Sequence, residues 1–263
     1  MDNQDIIYTK EKGIATITLN RPDRLNAFSP EMMDSMYSAI EDTMQDKDVR
    51  VLILTGSGRA FCSGADVKAM AERYNKPGAT DASVPEAERV SMYLLLQQCQ
   101  KPVIAAINGV AVGGGLDLAC ACDIRIASDK ARFAEVFIRR GMIPAAGGTY
   151  FLPRLVGIDK ALELIWTGDM LDAKEAERIG LVTTVVPHDE LEIATMELAE
   201  KIAKGPPLAI QSSKYVVYEG LDMDLEKTLK FIAPFVKKVT NSEDHKEGAR
   251  AFVEKREPVF RGE

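Results

Sequence analysis

The clearest alternation of apolar and polar positions is near the N-terminus, where Ala15, Ile17 and Leu19 interleave with Ile14, Thr16 and Thr18. That period of two predicts a strand over 13–20, paired through Lys10–Lys12 with a shorter strand over 6–8. Ser29, Pro30 and Glu31 supply an N-cap, a first-turn proline and a first-turn acid, predicting a helix to about residue 44. Further strands are expected over 49–55, 103–107, 124–127 and 182–186. Helices are expected over 66–74, 86–100, 116–122, 158–167 and 171–179. The 86–100 segment carries Met92, Leu95, Leu96 and Cys99 at helical spacing, a stripe that packs in a core or lines a pocket. The segment 133–140 is followed by a turn over 141–149. Residues 75–85 are the one long run of turn formers and read as a mobile loop or a plain linker. From 187 onward the pattern is helical, over 190–203, 206–219, 223–239 and 242–255. A strand–strand–helix rhythm early and helices late make an α/β chain with a parallel component.

Composition narrows the class. The chain has 263 residues, 46% hydrophobic and 28% charged, as expected of a globular domain with a large core. A net charge of −7 argues against a nucleic-acid or anionic-membrane partner, which would require a basic face. The four cysteines lie in apolar stretches of a chain too large to need disulfides, so free buried thiols and a reducing, cytoplasmic setting are expected. Cys120 and Cys122 are separated by one residue, and the two histidines, His188 and His245, are far away in sequence, so no zinc site is expected. Residues 1–13 lack the pattern of an export signal, and no apolar run is long enough to span a bilayer.

Two glycine turns suggest chemistry. In Gly113-Gly114-Gly115 three successive residues lack Cβ atoms between an apolar strand and a helix, so backbone N–H groups there can approach a ligand and stabilise an oxygen anion. A glycine turn required only for close helix–strand packing would look the same. A second such stretch, Gly56 to Asp66, also follows a strand and precedes a helix, so the two could converge on one anion.

Six segments in order carry a family resemblance: RPDRLNAF (21–28), FCSGADVKAM (61–70), NGVAVGGGLDLA (108–119), CDIRIAS (122–128), GMIPAAGGTYFLPRLVG (141–157) and EGARAFVEKREPVF (247–260). From about residue 5 to the end the chain resembles the enoyl-CoA hydratase/isomerase, or crotonase, superfamily. The resemblance implies a spiral of ββα units over 1–190 holding an acyl-CoA site, and a helical oligomerisation region over 191–263. It also implies a homotrimer or homohexamer acting on an acyl-CoA thioester, with no cofactor beyond the coenzyme A of the substrate. By motif, the oxyanion donors are the N–H groups of Ala65 and Gly114. Arg24, Leu25, Ala27, Ser63, Asp66, Val67 and Lys68 match positions that wrap adenine, pantetheine and phosphates, although Arg24 and Lys68 could also be solvated surface cations. Phe252 and Lys255 match contacts to the neighbouring subunit's CoA.

The catalytic acids depart from the usual pattern. The first family position holds Asp117, which could otherwise be a first-turn acid complementing the helix dipole. The second holds Phe137, and an acid found elsewhere in the family within the Pro-x-x-Gly-Gly turn is Ala145 here. Glu135 is near, but two residues along a helix turn a side chain by about 200°, which would aim it away. Asp117 is therefore expected to be the principal acid/base, and Phe137 to narrow the pocket toward bulky acyl groups. Poor hydration of short straight-chain 2-enoyl-CoAs is the consequence. The alternatives left open are a hydrolase, decarboxylase or C–C hydrolase of the same superfamily, and a non-catalytic acyl-CoA-binding paralogue.

Overall fold

A computed structural model describes residues 5–67, 71–72 and 91–263. The expected loop over 75–85, Lys68, most of the expected helix over 66–74 and the start of that over 86–100 lie outside the described residues.

The strand–strand–helix rhythm becomes two sheets. β1 (Ile6–Glu11) and β2 (Ile14–Leu19) form the expected antiparallel pair. β2 then continues in parallel into β3 (Val51–Gly56), β5 (Val103–Ile107), β7 (Ile124–Ser128) and β10 (Thr184–Val186), giving six strands in the order β1-β2-β3-β5-β7-β10. Three of these strands are each followed by a short second strand: β4 (Ala60–Cys62), β6 (Val110–Val112) and β8 (Arg132–Ala134). With β9 (Leu171–Asp172) they form a separate four-stranded sheet, β4-β6-β8-β9. Each repeat thus contributes its first strand to one sheet and its second to the other. The expectation of single strands running directly into the glycine turns is corrected here: a two-strand corner intervenes at Gly58 and Gly109. At Gly109 a Cβ would stand 2.1 Å from the Arg59 carbonyl oxygen, so only glycine allows the chains to cross.

Helix α1 (Pro30–Gln45) starts where its cap predicts, with the Met32 N–H donating to Ser29 Oγ at 3.0 Å. Its buried Met32, Met36, Ala39 and Ile40 pack on the large sheet together with α2 (Met92–Gln98) and α3 (Gly114–Cys120). The α4 helix (Gly148–Val156) replaces the end of the expected turn over 141–149. Its Phe151 and Leu152 are buried despite the glycines at its start and Pro153 inside it, which hide its periodicity in the sequence. After α5 (Ile158–Thr167) and α6 (Ala173–Arg178), α7 (Leu191–Ala203) covers the other sheet face, where Leu191, Ala199 and Ala203 meet Ile14, Val51, Ile53, Ile104 and Ile126.

The last three helices, α8 (Pro207–Gly220), α9 (Leu225–Thr240) and α10 (Glu243–Glu254), are far more exposed, and neither α8 nor α9 has a buried residue. Partly buried polar contacts fasten them to the core. Lys214 Nζ meets Asp123 at 2.7 Å, and Asp123 also accepts from Tyr218 and from the Val103 N–H. Arg50 donates to the carbonyls of Ala203 and Phe260, holding the chain end against β3.

Candidate active site

The Arg24–Phe28 loop is set by Asn26. Leu25 and Asn26 both take positive φ, 52° and 54°, a strained conformation for residues with side chains that must be held by its surroundings. Asn26 is fully buried; its amide nitrogen donates to the carbonyls of Ser57, Ala60 and Phe61, and its amide oxygen accepts from the Arg21 N–H. The loop is thereby fixed to the β4 corner. The Phe28 N–H then reaches the Gly64 carbonyl at 2.8 Å, and the Ser63 N–H reaches that of Leu25 at 3.0 Å.

The two glycine turns meet. A Cβ on Gly64, whose φ is +77°, would be 2.9 Å from the Gly114 nitrogen and 3.0 Å from the Val112 oxygen. A Cβ on Gly115 would be 2.1 Å from the Cys62 oxygen. Glycine is required at both positions because backbone lies against backbone. Neither the Ala65 nor the Gly114 N–H donates to a backbone carbonyl among the described residues. Helix α3, expected from residue 116, starts at Gly114 and places the Gly114 donor at its first turn, while Ala65 follows β4 and bridges to Phe28.

Asp117 lies in that helix and is fully buried. Glu135 is fully buried beside it, which corrects the expectation that it faces away. The rotation argument assumed a helix, but Glu135 precedes the 3-10 turn Val136–Arg140 with φ −90° and ψ 79°, outside helical geometry. The chain is still leaving β8 at that point, so Glu135 and Phe137 both point inward. Phe137 lies 3.7 Å from where a Cβ of Gly113 would be, with the Arg140 guanidinium 5.8 Å from its ring centre. Above them Gly148 leaves no room for a side chain: its Cβ would be 2.3 Å from Asp117 Oδ1 and 3.1 Å from Glu135 Oε1. A second carboxyl, that of Glu135, thus stands beside Asp117 although Phe137 occupies the expected position.

The electrostatics of this pair are unlike those of other buried charges. Lys101 donates to the carbonyls of Thr43 and Asp46, Arg125 to those of Leu181 and Cys122, and Asp244 accepts from the N–H groups of Arg261 and Gly262. By contrast, no donor among the other described residues closes on either oxygen of Asp117 or of Glu135, and the two carboxyls face each other. The Ala146 and Gly148 N–H groups lean toward Asp117 without closing to hydrogen-bond geometry. Burial pushes both carboxyls above the usual carboxylate range, and the charge of Asp117 pushes Glu135 further still. Two like charges this close cannot both ionise readily, and Glu135, pushed further up, is the member that holds its proton more firmly.

Among the other expected residues, Ala27 is buried and Ser63 half-buried, with its hydroxyl 3.4 Å from the Arg24 carbonyl. Arg24 and Val67 are exposed, and Asp66 lies 3.7 Å from the Arg21 guanidinium. Phe252 is 86% exposed on α10, and Lys255 caps that helix with φ 56°. Within one chain neither contacts the turn around Gly114 among the described residues. Reasoning from the sequence passed over Phe28 and Tyr93, both of which approach Gly114.

Two sheets joined by glycine turns and a buried carboxyl pair make up the site, and comparison with known proteins gives the family. The family model described as enoyl-CoA hydratase/isomerase matches residues 9–263, and the chain belongs to that family. It is 41% identical over 253 residues to a Dictyostelium discoideum protein named "Probable enoyl-CoA hydratase, mitochondrial", covering 96% of this chain and 89% of that one. It is 38% identical to a short-chain-enoyl-CoA hydratase of Clostridium acetobutylicum, covering 97% of each. Among solved structures, an enoyl-CoA hydratase from Bacillus anthracis superposes with a TM-score of 0.90 at 37% identity, covering 99% of this chain and all of that one. The fold is accordingly the crotonase spiral with a helical C-terminal region, and the protein is an acyl-CoA-processing enzyme of the hydratase/isomerase type.

Proposed function

We propose that the protein adds water reversibly across the double bond of a 2-enoyl-CoA, with Asp117 and Glu135 as the acid/base pair. The observation that carries this reading is the juxtaposition of two buried carboxyls with a turn whose Ala65 and Gly114 N–H groups meet no backbone carbonyl among the described residues. The Asp117 carboxylate takes a proton from water as its oxygen bonds to the β carbon. The electrons of the double bond move onto the thioester oxygen, held by the Ala65 and Gly114 N–H groups. When they return, the α carbon takes the proton of neutral Glu135, and one proton passes back between the carboxyls to restore the starting state. General acid/base help of this kind contributes about 10²–10⁴-fold. Each oxyanion donor contributes about 3–4 kcal/mol in comparable enzymes.

A second acid removes the reason to expect poor hydration of short substrates, and Phe137 then becomes a wall of the acyl pocket. The nucleotide part of the substrate would lie along Arg24, Leu25, Ala27, Ser63, Asp66, Val67 and Lys68. Exposed apolar side chains on α9 and α10, among them Leu225, Leu229, Val236 and Phe252, support assembly as a homotrimer or hexamer. In that assembly Phe252 and Lys255 would reach a neighbour's CoA. The reaction needs no cofactor beyond the thioester, and four free, buried thiols suit a reducing compartment such as the cytoplasm. The test is turnover of crotonyl-CoA, followed by loss of enoyl absorbance and formation of 3-hydroxybutyryl-CoA, alongside crotonate. Turnover of the thioester with none of the free acid is expected; a panel of enoyl-CoAs bound but left unchanged would overturn the reading.

A further inference from the structure

Tyr93 sits near the start of α2, and its ring runs between the two parts of the site. Its Cβ lies 3.7 Å from where a Cβ of Gly147 would be, beside the backbone that leans toward Asp117. Its hydroxyl lies 3.3 Å from where a Cβ of Gly114 would be, and Phe28 Cε2 is at the same distance on that side. Any side chain at Gly114 would therefore strike the hydroxyl. The phenol oxygen stands one atomic layer from the glycine that carries an oxyanion donor.

Elsewhere the tyrosine hydroxyls of Tyr8 and Tyr218 are matched to Asp42 and Asp123 at 2.7 and 2.9 Å. Tyr93 is packed against the core, yet its hydroxyl makes no hydrogen bond among the described residues. Burial and the adjacent Asp117 carboxylate hold the phenol well above its ordinary pKa, so it stays protonated and can only donate to an anion.

We propose that the Tyr93 hydroxyl is a third donor to the thioester oxygen, completing the oxyanion site formed by the Ala65 and Gly114 N–H groups. The proposal rests on the enoyl-CoA reading above and adds to it a catalytic residue. As water adds to the β carbon, negative charge collects on the thioester oxygen and the phenol O–H shortens its hydrogen bond to it. The proton remains on the tyrosine throughout, so protonation of the α carbon still falls to Glu135.

The experiment uses Tyr93→Phe, which keeps the ring and is expected to fold with an unchanged Tm. Two readouts are taken. In the first, kcat for crotonyl-CoA falls about 10–10³-fold with KM little changed, because the lost interaction belongs to the transition state. In the second, acetoacetyl-CoA, which carries an acidic α carbon, is bound to each protein and the enolate fraction is read by its ultraviolet absorbance at fixed pH. The wild type holds more enolate than Tyr93→Phe. An unchanged kcat together with an unchanged enolate fraction would overturn the proposal, as would a raised KM alone, which would mark Tyr93 as a wall. The enolate readout needs no turnover. A wild type that binds acetoacetyl-CoA as enolate but hydrates no enoyl-CoA would refute the hydratase reading while leaving the role of Tyr93 measurable.

Discussion

The spiral core and the C-terminal helices break the usual pattern of burial in opposite directions. Around Gly114 the protein buries two carboxyls that, among the described residues, face only each other, whereas Lys101, Arg125 and Asp244 are each given partners. Along α9 and α10 it leaves large apolar side chains in the open, with Leu225 at 73% and Phe252 at 86% exposure. Neither pattern lowers the free energy of an isolated, unliganded chain. A buried unpaired carboxylate costs several kcal/mol, and each large apolar side chain left out of a core forgoes about 1.5–3 kcal/mol. On the function proposed above, the difference assigns the two regions different complements: a reacting substrate for the first, and a further protein surface for the second.

The comparison breaks most sharply at Asp117. Asp117→Asn keeps the shape of the side chain and removes the base, so kcat on the enoyl-CoA substrate is expected to fall about 10²–10⁴-fold with KM little changed. Steady-state kinetics at pH 7.5 check this, and a fall below about threefold would remove Asp117 from the chemistry. On the other side, Phe252→Asp should leave each chain folded by circular dichroism while weakening assembly by about 2–3 kcal/mol per side chain. Sedimentation velocity is expected to show smaller species at dilutions where the wild type stays assembled. A monomeric wild type would leave the exposed apolar face unexplained.

A smaller effect separates the regions by pH. The carboxyl of Glu135 is raised in the folded protein, so below the unfolded value near pH 4 both states carry the proton and burial costs nothing extra. As pH rises past that point the unfolded chain ionises while the folded one does not, and stability is lost until the folded value is reached. Glu135→Gln is therefore expected to match the wild type in Tm near pH 4 and to exceed it at pH 8. The exposed Glu226–Lys230 pair on α9, by comparison, contributes only about 0.3–0.5 kcal/mol, so Glu226→Gln should leave that pH profile unchanged.

Much of the fold was legible in the sequence because its signals are local. Ser29 and Pro30 mark the start of α1, alternation marks β2, and helical periodicity marks the four helices after residue 190 with ends correct to within about two residues. The small sheet was not legible. β4, β6 and β8 are three residues each, too short for any period, and they exist because glycine corners such as Gly109 let chains cross. Helix α4 escaped notice because its first residues follow a glycine pair. The site divides in the same way. Asp117 and the glycine turns follow from motif and covalent geometry, whereas the direction of Glu135 depends on where β8 ends and the 3-10 turn begins. Tyr93 reaches Gly114 only through packing between segments about twenty residues apart, which no local pattern records.

The central claim is that Glu135 supplies the second acid from two residues before the family's usual position. The measurement that bears on it most directly is the kcat of Glu135→Gln for an enoyl-CoA that the wild type hydrates, with KM determined in the same series. A loss of about 10²–10⁴-fold in kcat with KM within a few-fold is predicted. Hydration at the wild-type rate by Glu135→Gln would contradict the claim, showing that the buried pair is not the acid/base machinery of this enzyme.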